Sequence, residues 1–405
     1  MDFAWTPEQI DLREHARKIA EDAVARYGRH NDTWMNGYSK EFSKELGEHG
    51  FIGMTWPTEF GGGGRPAIDR LIVGEEMIKA GAPIAASWFG DRQMGPTLMT
   101  YGTPEQQAKF LPGILTGADT WCIGMSEPNA GSDLASLKTS AVLDGDEWVI
   151  NGQKIWTSFG AVAEYCYLIC RTSNDGPPHA GISEIVVPMN TPGIEAREIQ
   201  DMTTNRHFCE VFFTDVRVKD SQRLGALNDG WNVSIITLMN ERASVGGGGG
   251  ARGGGALKAL QVAQKIRDEN GDPLSNNTTV REKIAEHYVR AEGLRFTGMR
   301  SLTALSQGKT PGPEQSVSKL VQASAMQDLA DFMVDLQDQA GIIRDPAHAV
   351  ENADFQEMFL GTPGGRIAGG TDEILRNIIA ERVLGLPGEI RVDKNIPFKD
   401  LPTGR

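Results

Sequence analysis

The chain has 405 residues, of which 40 are Lys or Arg and 54 are Asp or Glu, and its formal net charge is −14. A phosphate backbone repels such an acidic surface, and no Lys/Arg cluster offsets it, so we expect no nucleic-acid partner. The sequence has no apolar run of about 18 residues and no CxxC spacing, so we expect no membrane span, disulfide scaffold or metal site.

The first elements are helices, and they predict an N-terminal helical domain over residues 1–118. Thr6-Pro7-Glu8-Gln9 is typical of a helix start, because Thr suits the N-cap, Pro the first helical position and Gln the third. Thr103-Pro104-Glu105-Gln106 repeats this pattern. Apolar spacing predicts further helices over residues 39–49 and 66–79.

Short segments rich in β-branched and aromatic residues follow, and they predict a β domain over residues 119–228. The predicted strands are Trp121–Met125, Glu147–Ile150, Tyr165–Cys170, Ile182–Val187 and Phe208–Phe213. Asp144-Gly145-Asp146 and Asn151-Gly152 are predicted hairpin turns. Strands at this spacing favour a small antiparallel sandwich or barrel.

Helical periodicity returns over residues 229–405, with long amphipathic helices predicted over residues 279–306 and 313–339. Thr371-Asp372-Glu373 is expected to cap a last helix that ends at Gly385. Long helices of this type usually form a bundle. The fold class is therefore mainly α with a central β domain.

A loop directly after the first predicted strand is one candidate site. Met125-Ser126-Glu127-Pro128-Asn129-Ala130-Gly131-Ser132-Asp133 combines two hydroxyls with backbone amides that can bind an electron-rich ligand. An ordinary turn between strands uses the same residue types. Trp156-Thr157-Ser158 is a second candidate, because a Trp can stack on a planar cofactor while a hydroxyl bonds its edge. Trp156 is equally compatible with a core position.

Asn240-Glu241-Arg242 lies in a predicted apolar helix, where a desolvated Glu241 would have the raised pKa of a general base. The alternative is a solvated helix face. The run from Gly246 to Gly255 has no preceding strand, so it does not indicate a dinucleotide-binding loop. Its small residues favour close helix packing or room for a ligand. Gly369-Gly370-Thr371 suits either a ligand at a helix start or a plain N-cap.

Taken in this order, the motifs resemble the acyl-CoA dehydrogenase family of flavoenzymes. The resemblance covers nearly the whole chain and is most specific in Met125–Asp133 and in Asn151-Gly152-Gln153-Lys154-Ile155-Trp156. It implies an N-terminal helical domain, a middle β domain and a C-terminal four-helix domain, usually assembled as a tetramer.

The resemblance also implies roles for single residues. FAD would be bound by Ile123, Met125, Ser126, Gly131, Ser132, Trp156, Thr157, Ser158, Gly341, Thr371 and Glu373. Trp156 would cover the isoalloxazine, and Ser158 would bond near flavin N5. Ser132 and Arg242 would contact the acyl-CoA.

Many family members carry the catalytic Glu directly before the Gly-Thr of the C-terminal motif, where this chain has Gly369. A minority, similar to isovaleryl-CoA and long-chain members, place it on an earlier helix before an Arg. Here that residue is Glu241, before Arg242. The resemblance therefore implies that Glu241 removes the α-proton, that flavin N5 accepts the β-hydride, and that the product is a trans-2-enoyl-CoA.

The implied setting is lipid breakdown by β-oxidation, with electron-transfer flavoprotein as acceptor. A branched or bulky, for example sterol-derived, acyl chain is expected from the glycine run. The family's usual Arg-x-x-Phe-Gly is replaced by the stretch from Arg267 to Pro273, so a mixed oligomer is the alternative to a homotetramer. An oxidase or monooxygenase on the same fold, or a non-catalytic binding relative, are rival functions.

The N-terminus lacks the pattern of a signal peptide, so we expect a cytoplasmic protein whose four cysteines are buried thiols.

Overall fold

The computed structural model describes residues 5–30, 37–245, 255–306, 312–313, 315–391 and 395–401, and it leaves out the side chains of residues 240–245, 302, 305 and 306. The predicted glycine run therefore lies outside the described residues, apart from Gly255. The chain divides into two compact units. One unit comprises Met1–Asp22, Ala67–Gly81 and Arg242–Pro387, and the other comprises Ala23–Pro66, Ala82–Glu241 and Gly388–Arg405. The three-domain division at residues 118 and 228 stays a prediction.

Helices occupy the first part of the chain, as predicted. They are α1 (Pro7–Tyr27), α2 (Lys40–Glu48), α3 (Ala67–Ala80), α4 (Ala85–Phe89), α5 (Gly95–Tyr101) and α6 (Pro104–Leu115), with a π-helical turn, Gly90–Met94, between α4 and α5. The start of α6 has a reciprocal capping box, in which Thr103 accepts from the Gln106 N–H and Gln106 accepts from the Thr103 N–H. Thr6 and Gln9 make the same pair of hydrogen bonds before α1.

The middle of the chain forms one mixed sheet. Its strands are β1 (Trp121–Gly124), β2 (Ser140–Asp144), β3 (Glu147–Ser158), β4 (Tyr165–Arg171), β5 (Ile182–Pro188), β6 (Ile194–Ile199), β7 (Phe208–Lys219) and β8 (Arg223–Leu224). They run in the order β6-β7-β3-β2-β4-β5-β8, and β1 also pairs with β4. Most pairings are antiparallel, but β1 and β4 are parallel, as is the single pair between β2 and β4.

One of the two predicted hairpin turns is wrong. The Asp144-Gly145-Asp146 turn joins β2 to β3, as expected. Asn151-Gly152 instead lies inside β3, at a bulge where the register against β7 shifts. The Asn151 side chain exchanges hydrogen bonds with Asp215 of β7 at 3.0 and 2.9 Å, so the partner strand holds it in the sheet.

The C-terminal helices are α7 (Gly230–Val245), α8 (Ala256–Lys265), α9 (Thr278–Ser306), α10 (Gln315–Leu336), α11 (Asp354–Gly365) and α12 (Asp372–Ile378). Helices α8 to α11 share one apolar core, which includes Val262, Ile284, Met333 and Phe355. This is the predicted four-helix arrangement. The predicted N-cap at Thr371 is confirmed, since its hydroxyl accepts from the Ile374 N–H at 3.3 Å.

The cysteine prediction is confirmed, because all four cysteines are buried and free. They belong to the sheet core, where burial raises the pKa of the Cys170 thiol to about 12. Among the described residues, no helix is long and apolar enough to cross a membrane.

Candidate active site

A second bulge in β3 exposes Trp156. Between Lys154 and Thr157 the strand has one residue more than its partner β7, and Trp156 takes a φ of +59°. A positive φ is rare for a bulky residue and costs of order 1–3 kcal/mol. As a result the indole is 55% exposed, and it packs edge to face with the Phe208 ring at a centroid distance of 5.7 Å. Trp156 is thus not a core aromatic, and its exposed surface suits stacking on a planar group.

A buried ion pair holds the loop after β1 against this bulge. The Lys154 ammonium, with no exposed surface, donates to the Met125 carbonyl at 2.9 Å and to the Glu127 carboxylate at 2.8 Å. Glu127 also accepts from the N–H groups of Lys138 and Thr139. The Ile155 N–H donates to the Ser126 carbonyl at 2.9 Å, which fixes the loop beside the bulge.

This pair keeps its charges despite burial. Burial alone would raise the pKa of Glu127, but Lys154 and the hydrogen bonds from residues 138 and 139 hold that pKa below the usual carboxyl range. Burial lowers the pKa of Lys154, and Glu127 opposes that change. The Lys154–Glu127 pair, together with the N–H donors to Glu127, therefore fixes the loop geometry.

The loop and the bulge enclose a cavity of about 140 Å³. It is lined by Phe89, Gln93, Ile123, Met125, Ser126, Ile155, Trp156, Ser158 and Thr237. Five of these residues were predicted to bind a flavin, namely Ile123, Met125, Ser126, Trp156 and Ser158. The structure thus brings them together from two separate stretches of sequence.

Three predicted residues of the same motifs do not line this cavity. Gly131 and Ser132 are exposed, beyond a tight turn in which Glu127 and Ala130 exchange backbone hydrogen bonds. Thr157 is fully buried on the other side of the bulge, and its hydroxyl has no hydrogen-bond partner among the described residues. Their predicted cofactor contacts stay a prediction.

Four lining residues were not predicted as site residues, and three of them lie outside the two motifs that the sequence marks. Phe89 and Gln93 come from α4 and the π-helical turn, Ile155 from the bulge, and Thr237 from α7. Gln93 is 1% exposed, and its side-chain oxygen finds no hydrogen-bond partner in the part of the chain that the structure describes. A buried acceptor without a partner is costly unless a ligand satisfies it.

These features fit the ring system of a flavin. An isoalloxazine needs an aromatic or apolar surface for its face and polar groups for its edge. Trp156 offers the surface, while Gln93, Ser126 and Ser158 offer the polar groups. We therefore find that the residues present suit the cofactor implied by the sequence resemblance.

Helix α7 is fixed to the sheet by two buried hydroxyls. Ser234 donates to the buried carboxyl of Glu184 on β5. One turn later, Thr237 lies 2.8 Å from the Tyr167 hydroxyl and 2.9 Å from the Thr97 hydroxyl. Glu241 follows Thr237 by four positions, so it continues the same helix face. The side chains of Glu241 and Arg242 lie outside the described part, and their roles stay predictions.

The remaining predicted residues belong to the other unit. Gly341 lies close to the C-terminal end of α10. A Cβ added to Gly341 would lie 2.4 Å from the Val334 carbonyl oxygen. Gly369 and Gly370 have φ values of +64° and +96° and lead into the N-cap Thr371. Glu373 is exposed in the first turn of α12. The described residues contain no cluster of His, Cys, Asp and Glu that could hold a metal.

The sequence matches three family profiles along its length. They are the N-terminal domain of acyl-CoA dehydrogenase over residues 6–118, the middle domain over residues 122–216 and the C-terminal domain over residues 228–384.

Curated relatives and solved structures agree with the profiles. Acyl-CoA dehydrogenase IpdE1 of Mycolicibacterium smegmatis is 38% identical over 365 residues, which cover 87% of this chain and 89% of the relative. The Tcur3481-Tcur3483 steroid ACAD superposes with a TM-score of 0.85 at 31% identity, over 96% of this chain and 100% of the other. The ChsE4-ChsE5 complex from Mycobacterium tuberculosis gives a TM-score of 0.84 at 31% identity, with the same coverage. The chain therefore belongs to the acyl-CoA dehydrogenase family and is an FAD-dependent oxidoreductase acting on CH–CH donors.

Proposed function

We propose that the protein oxidises an acyl-CoA thioester to the trans-2-enoyl-CoA, with Glu241 as the base that removes the α-proton. One observation carries this proposal: Thr237, on the face of α7 that Glu241 continues, lines the same cavity as Trp156, Ser126 and Ser158. A base on α7 and a ring stacked on Trp156 would then approach a substrate from two sides. When bound, FAD supplies the acceptor for the β-hydride.

The chain's own residues supply position and environment. The hydrogen bonds of Ser234 and Thr237 attach α7 to the sheet, the second of them four positions before Glu241. A desolvated carboxyl has a raised pKa, which suits a general base. Alignment of base, substrate and acceptor can contribute several orders of magnitude in rate.

We further propose a bulky or branched acyl chain, such as a sterol-derived one. Support comes from the name of one solved relative, the Tcur3481-Tcur3483 steroid ACAD. Gly369 occupies the place of the common base and removes a side chain from that loop. Both features favour a substrate that needs room.

Electron-transfer flavoprotein is the proposed acceptor, and an oligomer of acyl-CoA dehydrogenase subunits is the proposed assembly. Three large apolar side chains are exposed in the compact unit that includes Arg242–Pro387, namely Ile342 at 84%, Ile367 at 67% and Leu384 at 66%. Such exposure is unusual and suits a subunit contact. The relatives Tcur3481-Tcur3483 and ChsE4-ChsE5 each pair two chains. In this protein, the stretch from Arg267 to Pro273 stands where the family usually has Arg-x-x-Phe-Gly, so a mixed oligomer is the alternative to a homotetramer.

A substrate panel tests the activity. The FAD-loaded protein would be mixed anaerobically with straight, branched and sterol-derived acyl-CoA thioesters, and bleaching of the flavin absorbance would be recorded. We expect bleaching, fastest with the bulky thioesters, followed by enoyl-CoA formation when a dye acceptor is added. A flavin that no thioester bleaches would refute the dehydrogenase assignment.

Glu241→Gln tests the base. We expect turnover to fall by about 10²–10⁴-fold, because Gln cannot accept the proton. The FAD content should remain that of the wild type, since Gln keeps the shape of the side chain. Glu282→Gln, an exposed change on α9, is the matched control and should keep full turnover. Full turnover in Glu241→Gln would move the base elsewhere.

A further inference from the structure

A second cavity, of about 240 Å³, has a lining distinct from that of the cavity at Trp156. Its lining residues include Tyr38, Phe159, Val162, His207 and Cys209, and none of them lines the cavity at Trp156. Phe208 lines neither cavity, and its ring contacts Trp156 at 5.7 Å and His207 at 4.0 Å, between ring centroids.

His207 is the buried polar residue on which the chemistry of this cavity depends. Its side chain is 8% exposed, and neither ring nitrogen has a hydrogen-bond partner in the described part of the chain. Asp201 comes closest, with an oxygen 3.9 Å from Nδ1, which is too long for a hydrogen bond. Burial lowers the pKa of His207, so the ring is neutral at pH 7 and offers one donor and one acceptor.

The rest of the cavity is mostly aromatic at its floor and charged at its rim. The Phe159 ring lies 4.9 Å from the Tyr38 ring and 6.0 Å from the His207 ring, between centroids. Glu198 and Arg206 are exposed at the rim. A buried polar ring beside aromatic walls is the arrangement of a ligand site, in which apolar area gives affinity and a few polar atoms give orientation.

The volume sets the scale of the ligand. A cavity of about 150 Å³ holds one benzene ring. The 240 Å³ here leaves room for a second fused ring. A neutral imidazole does not select for an anion, so a hydroxyl or carbonyl group is the matching polar substituent.

We propose that this cavity binds a small fused-ring aromatic molecule carrying a hydroxyl or carbonyl oxygen, which hydrogen-bonds to His207. The site is separate from the dehydrogenation site and does not depend on the activity proposed above. Occupancy would satisfy one of the two ring nitrogens, neither of which has a hydrogen-bond partner among the described residues.

The test compares two probes of equal shape, 2-naphthol and 2-methylnaphthalene, by equilibrium dialysis against the FAD-loaded protein. We expect 2-naphthol to bind about tenfold more tightly, which is the usual worth of one hydrogen bond. In His207→Phe the preference for 2-naphthol should be lost or reversed, because its hydroxyl would leave water without gaining a partner. Equal binding of both probes to the wild type, or an unchanged preference in His207→Phe, would overturn the proposal.

Two further variants locate the binding. Val162→Trp should fill the rim and abolish binding of both probes, and this test does not depend on His207. His179→Phe changes a histidine outside the cavity, where its ring contacts Trp231 at 4.4 Å, and should leave both affinities unchanged. Binding that persists in Val162→Trp would place the probes elsewhere and contradict the proposal.

Discussion

Two carboxyl groups, Glu127 in the loop after β1 and Glu184 on β5, have pKa values shifted in opposite directions. Glu127 has a buried ammonium and two N–H donors, and its pKa is held below the usual range. Glu184 is fully buried with Ser234 as its hydrogen-bond partner, its second oxygen has no partner among the described residues, and burial raises its pKa well above the ordinary value. The buried ammonium and the N–H donors thus lower the pKa of Glu127, whereas deeper burial without such partners raises that of Glu184. Glu127 holds the loop after β1, and Glu184 holds α7.

Removing the charge partner of Glu127 should have the largest effect. Lys154→Met leaves an uncompensated buried carboxylate and should lower the free energy of unfolding by about 3–5 kcal/mol, with loss of FAD. Urea unfolding and the visible flavin spectrum measure both. Recovery of most of the stability in the double variant Lys154→Met/Glu127→Leu would confirm that the unpaired charge is the cause.

The surface pair of Arg217 and Asp144 supplies the control for that experiment. Both side chains are largely exposed. Arg217→Met should therefore leave unfolding nearly unchanged. If Arg217→Met and Lys154→Met lower the free energy of unfolding by similar amounts, the burial of the ion pair does not determine its contribution.

The second carboxyl should produce a pH dependence of opposite sign to that of Glu127. The folded-state pKa of Glu184 is raised. Its contribution to the free energy of unfolding is therefore fully present below the unfolded-state pKa of about 4.3, and it is lost as the pH rises toward the folded-state pKa. Glu184→Gln should match the wild type near pH 4 and exceed its stability at pH 8 by at least about 1.4 kcal/mol, the worth of a tenfold shift. Urea unfolding across this range measures it, with Glu282→Gln as control. A variant that parallels the wild type at every pH would contradict the neutral Glu184.

The smallest effect is expected from the partner of Glu184. Ser234→Ala removes one buried hydrogen bond and should cost about 1 kcal/mol, or ~2–4 °C in the melting temperature at pH 5. Ser234→Thr retains the hydroxyl and serves as the control. If the two variants melt at the same temperature, the hydroxyl does not hold α7.

The sequence was most informative where structure is local. The capping boxes at Thr6 and Thr103 and the Gly145 turn depend on neighbours within four residues, and all were predictable. Asn151-Gly152 was mistaken for a turn, because only Asp215, 64 positions away, decides that β3 continues. The same limit applies to Lys154, since a lysine in a strand is ordinarily exposed and its buried partner lies on another element.

The site was predictable as motifs but not as an assembly. The loop at Met125 and the bulge at Trp156 were found in the sequence, although the exposure of Trp156 follows from a backbone conformation that the sequence does not specify. Gln93 and Thr237 carried no local signal, because they reach the cavity from helices remote in sequence.

The parallel pairing of β1 with β4 also has a consequence for biosynthesis. Trp121 of β1 pairs with Tyr165 of β4, so β1, which leads into the loop that contains Glu127, emerges from the ribosome 44 residues before its partner strand. At about 5–20 residues per second, β1 waits roughly 2–9 s before it can join the sheet. Lys154 is synthesised within that interval, so the lysine that holds the loop is present before β1 is paired with β4. We therefore expect nascent chains stalled before β4 to be sensitive to proteases at this loop and unable to retain FAD.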